Sequence, residues 1–255
     1  MTDTRLPGLE DPANVVHGWD EVHRISPAPR HRRRLVVDIV RGLDVVDCLD
    51  AGCGQPYLLE ALKDELGLET YGCDLSDRTM ADNRGNPAAR EFRVLDLSKE
   101  VWPDRAFDLV ISSEVLEHIP DWPAAVANLA RMARQYVLIT VPTGKVRTMD
   151  RMVGHTQHFA GPELIAALGA AGCWPLMVRR WGFPFHSLYR IAISSQADRI
   201  YGSFSGEGGR GYGPVQKALS EVLYRLFFLN DRFRGGDELI VLARAPAAVA
   251  REGRR

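Results

Sequence analysis

The feature that most constrains this 255-residue chain is the stretch Val45–Gly54, Val-Val-Asp-Cys-Leu-Asp-Ala-Gly-Cys-Gly. An apolar run ends in an acid, two glycines follow one residue apart, and an amphipathic segment, 56–66, comes next. That order is strand, tight turn, helix. Glycine has no Cβ, so a ligand can lie directly against the backbone of the turn. In an open α/β sheet ligands bind outside the carboxyl ends of the strands, where this turn falls.

The rest of the chain repeats the alternation. Strand patterns fall at 45–50, 69–74, 91–96, 107–112, 136–141, 174–181 and 238–244. Helical patterns fall at 32–41, at 56–66 with Leu58, Leu59, Leu62 and Leu66 on one face, and at 76–83. Two more run from an N-cap at Asp121 through Arg134 and over 162–171, the last opened by proline and stopped by Gly172. Strands alternating with helices predict an α/β fold with a mostly parallel sheet covered on both faces. Between the sixth and seventh strands, 182–236 is too long for a plain loop. It carries aromatics, a glycine-rich piece at 202–213 and a helix over 214–229. The apolar stripe of that helix is Val215, Ala218, Leu219, Val222, Leu223 and Leu226. This insertion reads as a helical cap, a lining for a substrate pocket or a homodimer contact. Residues 1–34 read as an N-terminal arm before a domain spanning 35–255, and 245–255 as a frayed tail.

Composition narrows the function classes. A net charge of −1 supplies no global basic field for nucleic acid. The run Arg30-His31-Arg32-Arg33-Arg34 reads as the solvated first turn of a helix, with a phosphate or acidic partner as the alternative. None of the four cysteines forms a C-x-x-C pair, which argues against a zinc site and fits a reducing compartment. No apolar leader and no run of about 18 apolar residues is present, so the expectation is a cytoplasmic protein without a membrane span.

The choice of ligand turns on the residues next to the glycines. A dinucleotide fingerprint would place a third glycine in the helix opening and amide donors on a pyrophosphate. Here Pro56 has no N–H, and Tyr57 stands where the third glycine would. Three successive strand patterns end in acids instead, Asp50, Asp74 and Asp96, at intervals of 24 and 22 residues. They line one edge of the sheet.

With these pieces the sequence resembles the class I S-adenosylmethionine-dependent methyltransferases. The matching segments are Leu-Asp-Ala-Gly-Cys-Gly at 49–54, Tyr-Gly-Cys-Asp-Leu-Ser at 71–76 and Val-Leu-Asp-Leu at 94–97. Two more are Phe-Asp-Leu-Val-Ile-Ser-Ser-Glu-Val-Leu-Glu-His-Ile at 107–119 and Gly-His-Thr-Gln-His-Phe from 154. The resemblance implies a Rossmann-like fold of seven strands with the last antiparallel beside the fifth, and S-adenosylmethionine as cofactor. It implies that Asp50, Gly52 and Gly54 hold the methionine part, that Asp74 takes the ribose hydroxyls with Leu75 beside it, and that Asp96 and Leu97 meet the adenine. Ser113 and Glu114 would border the methionine and the acceptor. Pro56 departs from the family's third glycine, although proline suits a first helical turn.

Methyl transfer from a sulfonium needs the acceptor held in line with the leaving sulfur, and a hydroxyl acceptor must also lose a proton. The candidate bases are His118, His155 and His158, with a small-molecule hydroxyl as the expected acceptor. In the family the Glu117-His118 pair also serves structurally. No metal is expected. The alternatives are a divalent ion on Glu114, Glu117, His118 and His155 or His158, which resembles the set of small-RNA 2′-O-methyltransferases, and a cofactor-binding protein without methyl transfer.

Overall fold

The computed structural model describes residues 16–204 and 212–246; the start of the expected arm, most of the glycine-rich piece and nearly all of the tail lie outside the described residues. Seven strands form one sheet in the order β3-β2-β1-β4-β5-β7-β6. β1 (Asp47–Ala51), β2 (Glu69–Asp74), β3 (Glu91–Val94), β4 (Phe107–Ser113) and β5 (Ala133–Pro142) run parallel. β7 (Glu238–Arg244) is antiparallel both to β5 and to the edge strand β6 (Trp174–Trp181). The expected Rossmann-like sheet with an antiparallel last strand is therefore present.

The near-continuous apolar runs of the central strands follow from burial on both faces. Along β4, Val110 faces one layer and Leu109 and Ile111 the other, as the two-residue period of a strand requires. On the first face α5 (Trp122–Met132) and α7 (Gly161–Ala170) supply Val126, Leu129, Leu164 and Leu168. On the second, α2 (Pro27–Val40) and α3 (Tyr57–Leu66) supply Leu35, Val36, Leu58 and Leu62. A smaller cluster of Cys53, Leu59, Met80 and Ala88 sits under α4 (Asp77–Asn83). Asp121 accepts the Ala124 amide as the expected N-cap, and Ser76, expected inside its helix, instead caps it by accepting the Thr79 amide. Gly67 closes α3 in the left-handed region, at φ +70°.

Four expectations are corrected. β3 stops at Val94 rather than at 96, because Asp96 turns its carboxylate onto the Ser98 amide and hydroxyl, at 3.0 and 2.6 Å, and breaks the strand into a turn. α2 begins at Pro27, five residues before Arg32, and α1 (Val16–Ile25) precedes it, so a boundary between arm and domain at residue 34 falls inside a helix that packs on the sheet. The basic run is not a solvated turn: His31 is fully buried, and Arg32 is held between Glu114 and the buried Glu238.

The fourth concerns the insertion, which forms α8 (Phe185–Ser195), α9 (Ala197–Phe204) and α10 (Pro214–Phe227) between β6 and β7. α8 and α9 pack on the short α6 (Thr148–Met152), and α10 packs on α2. α10 packs by only part of its expected stripe, with Leu223 against the core. Val215, Leu219 and Val222 are exposed at 78, 56 and 62%, whereas Phe227 is buried and Tyr224 meets the His31 ring at a tilt and lies under the Arg30 guanidinium. The His31 Nε2 contact with the Tyr224 carbonyl, at 2.6 Å, fixes α10 to α2 by its C-terminal half and sets which face turns inward.

Candidate functional site

The carboxyl ends of β1, β2, β3 and β4 open into a cavity of about 450 Å³. All nine residues expected to hold the cofactor line it: Asp50, Gly52, Gly54, Asp74, Leu75, Asp96, Leu97, Ser113 and Glu114. No described residue of 182–236 does. The remaining wall comes from α1 and α2, through His23, Pro29, Arg32 and Arg33, and from Cys53, Gln55, Tyr57, Leu58, Leu95, Val115, His118 and Ile119.

The glycine turn is shaped by contact. Gly52, at φ +87°, lies so close to Val115 that a Cβ would stand 2.4 Å from its Cγ2. Gly54, at φ +48°, has open space where its Cβ would be. The Gly54 and Ser76 amides both donate to Asp74, each at 3.0 Å, and Asn83 donates to the Gly54 carbonyl at 2.8 Å. These bonds lock the Asp74 carboxylate at the edge of the cavity with acceptor capacity left for two hydroxyls. Asp96 is tied into its own turn, and the Lys99 ammonium and the Ser98 donors hold its carboxyl down to about 2.

Asp50 is the opposite case. It is 3% exposed, has no ion-pair partner among the described residues, and its charged neighbour is the like-charged Asp74. Burial, then Asp74, pushes its carboxyl up to about 7. A buried acid aimed into a cavity and lacking a cation fits the ammonium of an amino-acid ligand. Asp74 could accept the diol of an adenosine and Asp50 the ammonium of a methionine, the two groups that S-adenosylmethionine would present.

Just past the end of β4, Glu114 takes a left-handed backbone conformation, φ +58°, rare for a non-glycine residue and held by the hydrogen bond its N–H donates to the Thr140 carbonyl. Its carboxylate pairs with Arg32 at 3.0 Å, and Arg32 also pairs with Glu238 at 3.0 Å. Burial raises Glu114 to about 7 against the opposing pull of Arg32, and raises Glu238 to about 8.

Of the three candidate bases, His118 lines the cavity, while His155 and His158 stand behind it. The His118 and His155 rings meet edge to face with centroids 4.8 Å apart, and His155 Nδ1 lies 3.2 Å from His158 Nε2. His158 Nε2 is 3.5 Å from Asp150, which Arg190 of α8 holds at 2.7 Å. His118 Nδ1 contacts the Gly154 carbonyl at 3.1 Å. A carbonyl can only accept, so in neutral His118 the proton sits on Nδ1 and Nε2 carries the basic lone pair. Burial lowers the pKa of His118 and takes His155 down to about 3, which keeps both rings neutral near pH 7. Glu117 is fully buried, neither of its carboxylate oxygens has a hydrogen-bond partner among the described residues, and burial pushes it up to about 8.

The sequence reading missed Arg32, Arg33, His23 and Tyr57. A signal for Arg32 was there: with Leu35, Val36 and Ile39 it falls at i, i+3, i+4 and i+7, on the apolar face of its helix.

This fold and this site define a class I S-adenosylmethionine-dependent methyltransferase. A sequence profile described as a methyltransferase domain matches residues 14–187, and the chain belongs to that family. It is 30% identical over 175 residues to a ubiquinone biosynthesis O-methyltransferase of Methylococcus capsulatus, covering 66% of this chain and 67% of that protein. It is also 30% identical over 131 residues to a ubiquinone biosynthesis O-methyltransferase of Nitrosomonas europaea, covering 46% of this chain and 53% of that protein. A probable chloroplastic tocopherol O-methyltransferase of Oryza sativa subsp. japonica shares 30% over 153 residues, 52% of this chain and 42% of that one. The chain thus spans about half the length of several curated relatives it matches. Among solved structures the fold matches the [4+2]-cyclase SpnF, with a TM-score of 0.59 at 19% identity over 87% of this chain and 83% of that one. It also matches a Haemonchus contortus phosphoethanolamine N-methyltransferase 2 in complex with S-adenosyl-L-methionine, with a TM-score of 0.55 at 16% identity over 92 and 61%. At those identities the likeness is one of fold.

Proposed function

We propose that this chain transfers the methyl group of S-adenosylmethionine to a hydroxyl of a small-molecule acceptor. The observation that carries the reading is His118: it is the histidine at the cavity wall, neutral, with Nδ1 committed to Gly154 and Nε2 left basic. The acceptor oxygen attacks the sulfonium methyl, the O–C bond forms as the C–S bond breaks, and the hydroxyl proton passes to His118 Nε2. Asp50 and Asp74 hold the two ends of the cofactor so that the methyl group faces the acceptor, and proximity supplies most of the acceleration. Val115, Ile119, Leu75 and Tyr57 give the wall an apolar character suited to an aromatic acceptor. The likeness to O-methyltransferases named for ubiquinone biosynthesis and for tocopherol supports an oxygen acceptor of that kind.

The test is label transfer from methyl-labelled cofactor to a panel of catechols and hydroquinones. His118→Gln should lower kcat on an accepted phenol by about 10²–10⁴-fold and leave cofactor affinity unchanged. Full activity in His118→Gln would remove the base from the scheme. Cofactor binding without transfer to any acceptor would favour a binding protein on the same fold.

A second reading has its own observation. Glu117 is buried without a hydrogen-bond partner, and ligand atoms of Glu117, His118 and His155 lie within 4.8 Å of one another. Glu114, by contrast, is taken up by Arg32. A divalent ion on the first three residues would lower the pKa of an acceptor hydroxyl. Elemental analysis of protein purified without chelator decides it, and a metal-free enzyme insensitive to EDTA excludes it.

A further inference from the structure

α6 is five residues long, too short to hold its place by its own hydrogen bonds. The insertion supplies an anchor through α8. Arg190 is 9% exposed; its Nη2 donates to Asp150 Oδ1 at 2.7 Å, and its Nη1 donates to the Asp237 carbonyl at 3.5 Å. Ser194, one turn further along α8, accepts the Met149 amide at 3.4 Å. Asp150 is the third residue of α6, and its Oδ2 closes the first turn by accepting the Arg147 amide at 2.8 Å. The turn that follows hangs on this helix. The Asp150 carbonyl accepts the His155 amide at 2.9 Å, and the Arg151 carbonyl accepts the Gly154 amide at 3.1 Å. Beyond Gly154 the chain is tied to the end of β4: Thr156 donates its amide and its hydroxyl to the Glu117 carbonyl, at 3.0 and 2.9 Å, next to His118. Gly154, at φ +91°, therefore stands between an anchor on the insertion and an anchor on the segment that carries His118. Its carbonyl lies 3.1 Å from His118 Nδ1.

We propose that Arg190 is a positioning residue: by gripping Asp150 it sets the Gly154 carbonyl against His118 Nδ1, which keeps the proton on Nδ1 and the lone pair on Nε2. Its value for methyl transfer rests on the reading of His118 as the base. A charge-assisted bond shielded from water is short and directional, and the planar guanidinium adds a second arm. Here one arm holds α6 and the other holds the residue before β7, so the grip on Asp150 is referred to the sheet. No described residue of the insertion lines the cavity, and Arg190 gives the insertion its hold on the site. Lysine in its place would keep the charge for Asp150 and lose the second arm.

The test reads the tautomer of His118 directly, from histidine nitrogen-15 shifts of the whole chain, with the His118 signals assigned by their loss in His118→Gln. The unaltered protein should show the Nδ1–H form. Arg190→Met should move His118 toward the Nε2–H form, Arg190→Lys should restore part of the difference, and the S-adenosylhomocysteine affinity of both should stay parental. On an accepted phenol Arg190→Met should lower kcat roughly tenfold, and in the His118→Gln background it should lower kcat no further, because both changes act on one group. If Arg190→Met does not fold, Asp150→Asn takes its place: it keeps the side-chain volume, removes the charge that Arg190 grips, and should move the tautomer in the same direction. A His118 tautomer unmoved in the folded variant overturns the inference. So does a kcat loss of the same size in the His118→Gln background, which would place the effect of Arg190 elsewhere. If the tautomer moves and His118→Gln is as active as the parent, the positioning stands and the base reading falls. If the tautomer does not move and His118→Gln is impaired, the base stands and the positioning falls.

Discussion

Replacing Asp50 by Asn should separate stability from cofactor binding in opposite directions. The Asp50 carboxyl moves from an ordinary value of 3.8 to about 7, through burial first and Asp74 second. In the free protein it stays protonated across a range where the unfolded chain has already ionised. Stability is therefore lost as pH rises from about 4 to about 7, and the full cost persists above that. The difference corresponds to about 4 kcal/mol at 1.36 kcal/mol for each pH unit. Asn, neutral and of similar shape, avoids the cost but leaves a buried amide to satisfy, so Asp50→Asn should stabilise the free protein by about 2–3 kcal/mol at pH 8 and by little at pH 4.5. The same change removes the counter-charge for the cofactor ammonium, and S-adenosylhomocysteine affinity at pH 8 should fall at least 30-fold. In the unaltered protein affinity should weaken about tenfold for each pH unit below 7, because the carboxylate must first be deprotonated. Urea unfolding at the two pH values and calorimetric titration measure both effects. A variant no more stable than the parent at pH 8, with parental affinity, would refute the reasoning.

Arg32→Met should destabilise the protein by about 3 kcal/mol, since it leaves the half-buried Glu114 and the buried Glu238 without their shared cation; urea unfolding measures it, and a change below about 0.5 kcal/mol would show the pair to be dispensable. Gly154→Ala should cost about 1–2 kcal/mol, because Gly154 sits at φ +91° and a Cβ would come within 3.4 Å of His118 Nδ1. By displacing the carbonyl that orients His118, it should also lower kcat more than it changes cofactor affinity.

How much of this was legible in the residues differs from element to element. The strands and the wall of the cavity follow from local rules: Asp74 closes β2, Asp50 stands one residue from the end of β1, and Gly52 sits where Val115 leaves no room for a Cβ. β3 was overrun by two residues because Asp96 prefers its own turn to the ladder, a competition that alternation of apolar residues does not register. On α10 the expected stripe and the inward side share Leu223, and the side that turns inward is the one whose Tyr224 carbonyl meets His31, nearly 200 positions away in the chain. The roles of Arg32 and Arg33 were hidden for the same reason. Five adjacent basic residues read as a solvated surface until the strand-end acids Glu114 and Glu238 are brought beside one of them and the cavity beside the next. The histidines were all on the acceptor side of the sheet, but their order in depth, His118 before His155 before His158, is a property of packing.

The claim at the centre is that the cavity at the ends of β1 to β4 takes S-adenosylmethionine. Calorimetric titration of the chain with S-adenosylmethionine, S-adenosylhomocysteine and NADH tests it directly. The expected result is single-site binding of the first two at micromolar concentration, abolished by Asp74→Ala, and no binding of NADH. Binding of NADH with neither adenosyl compound bound at millimolar concentration would contradict the account.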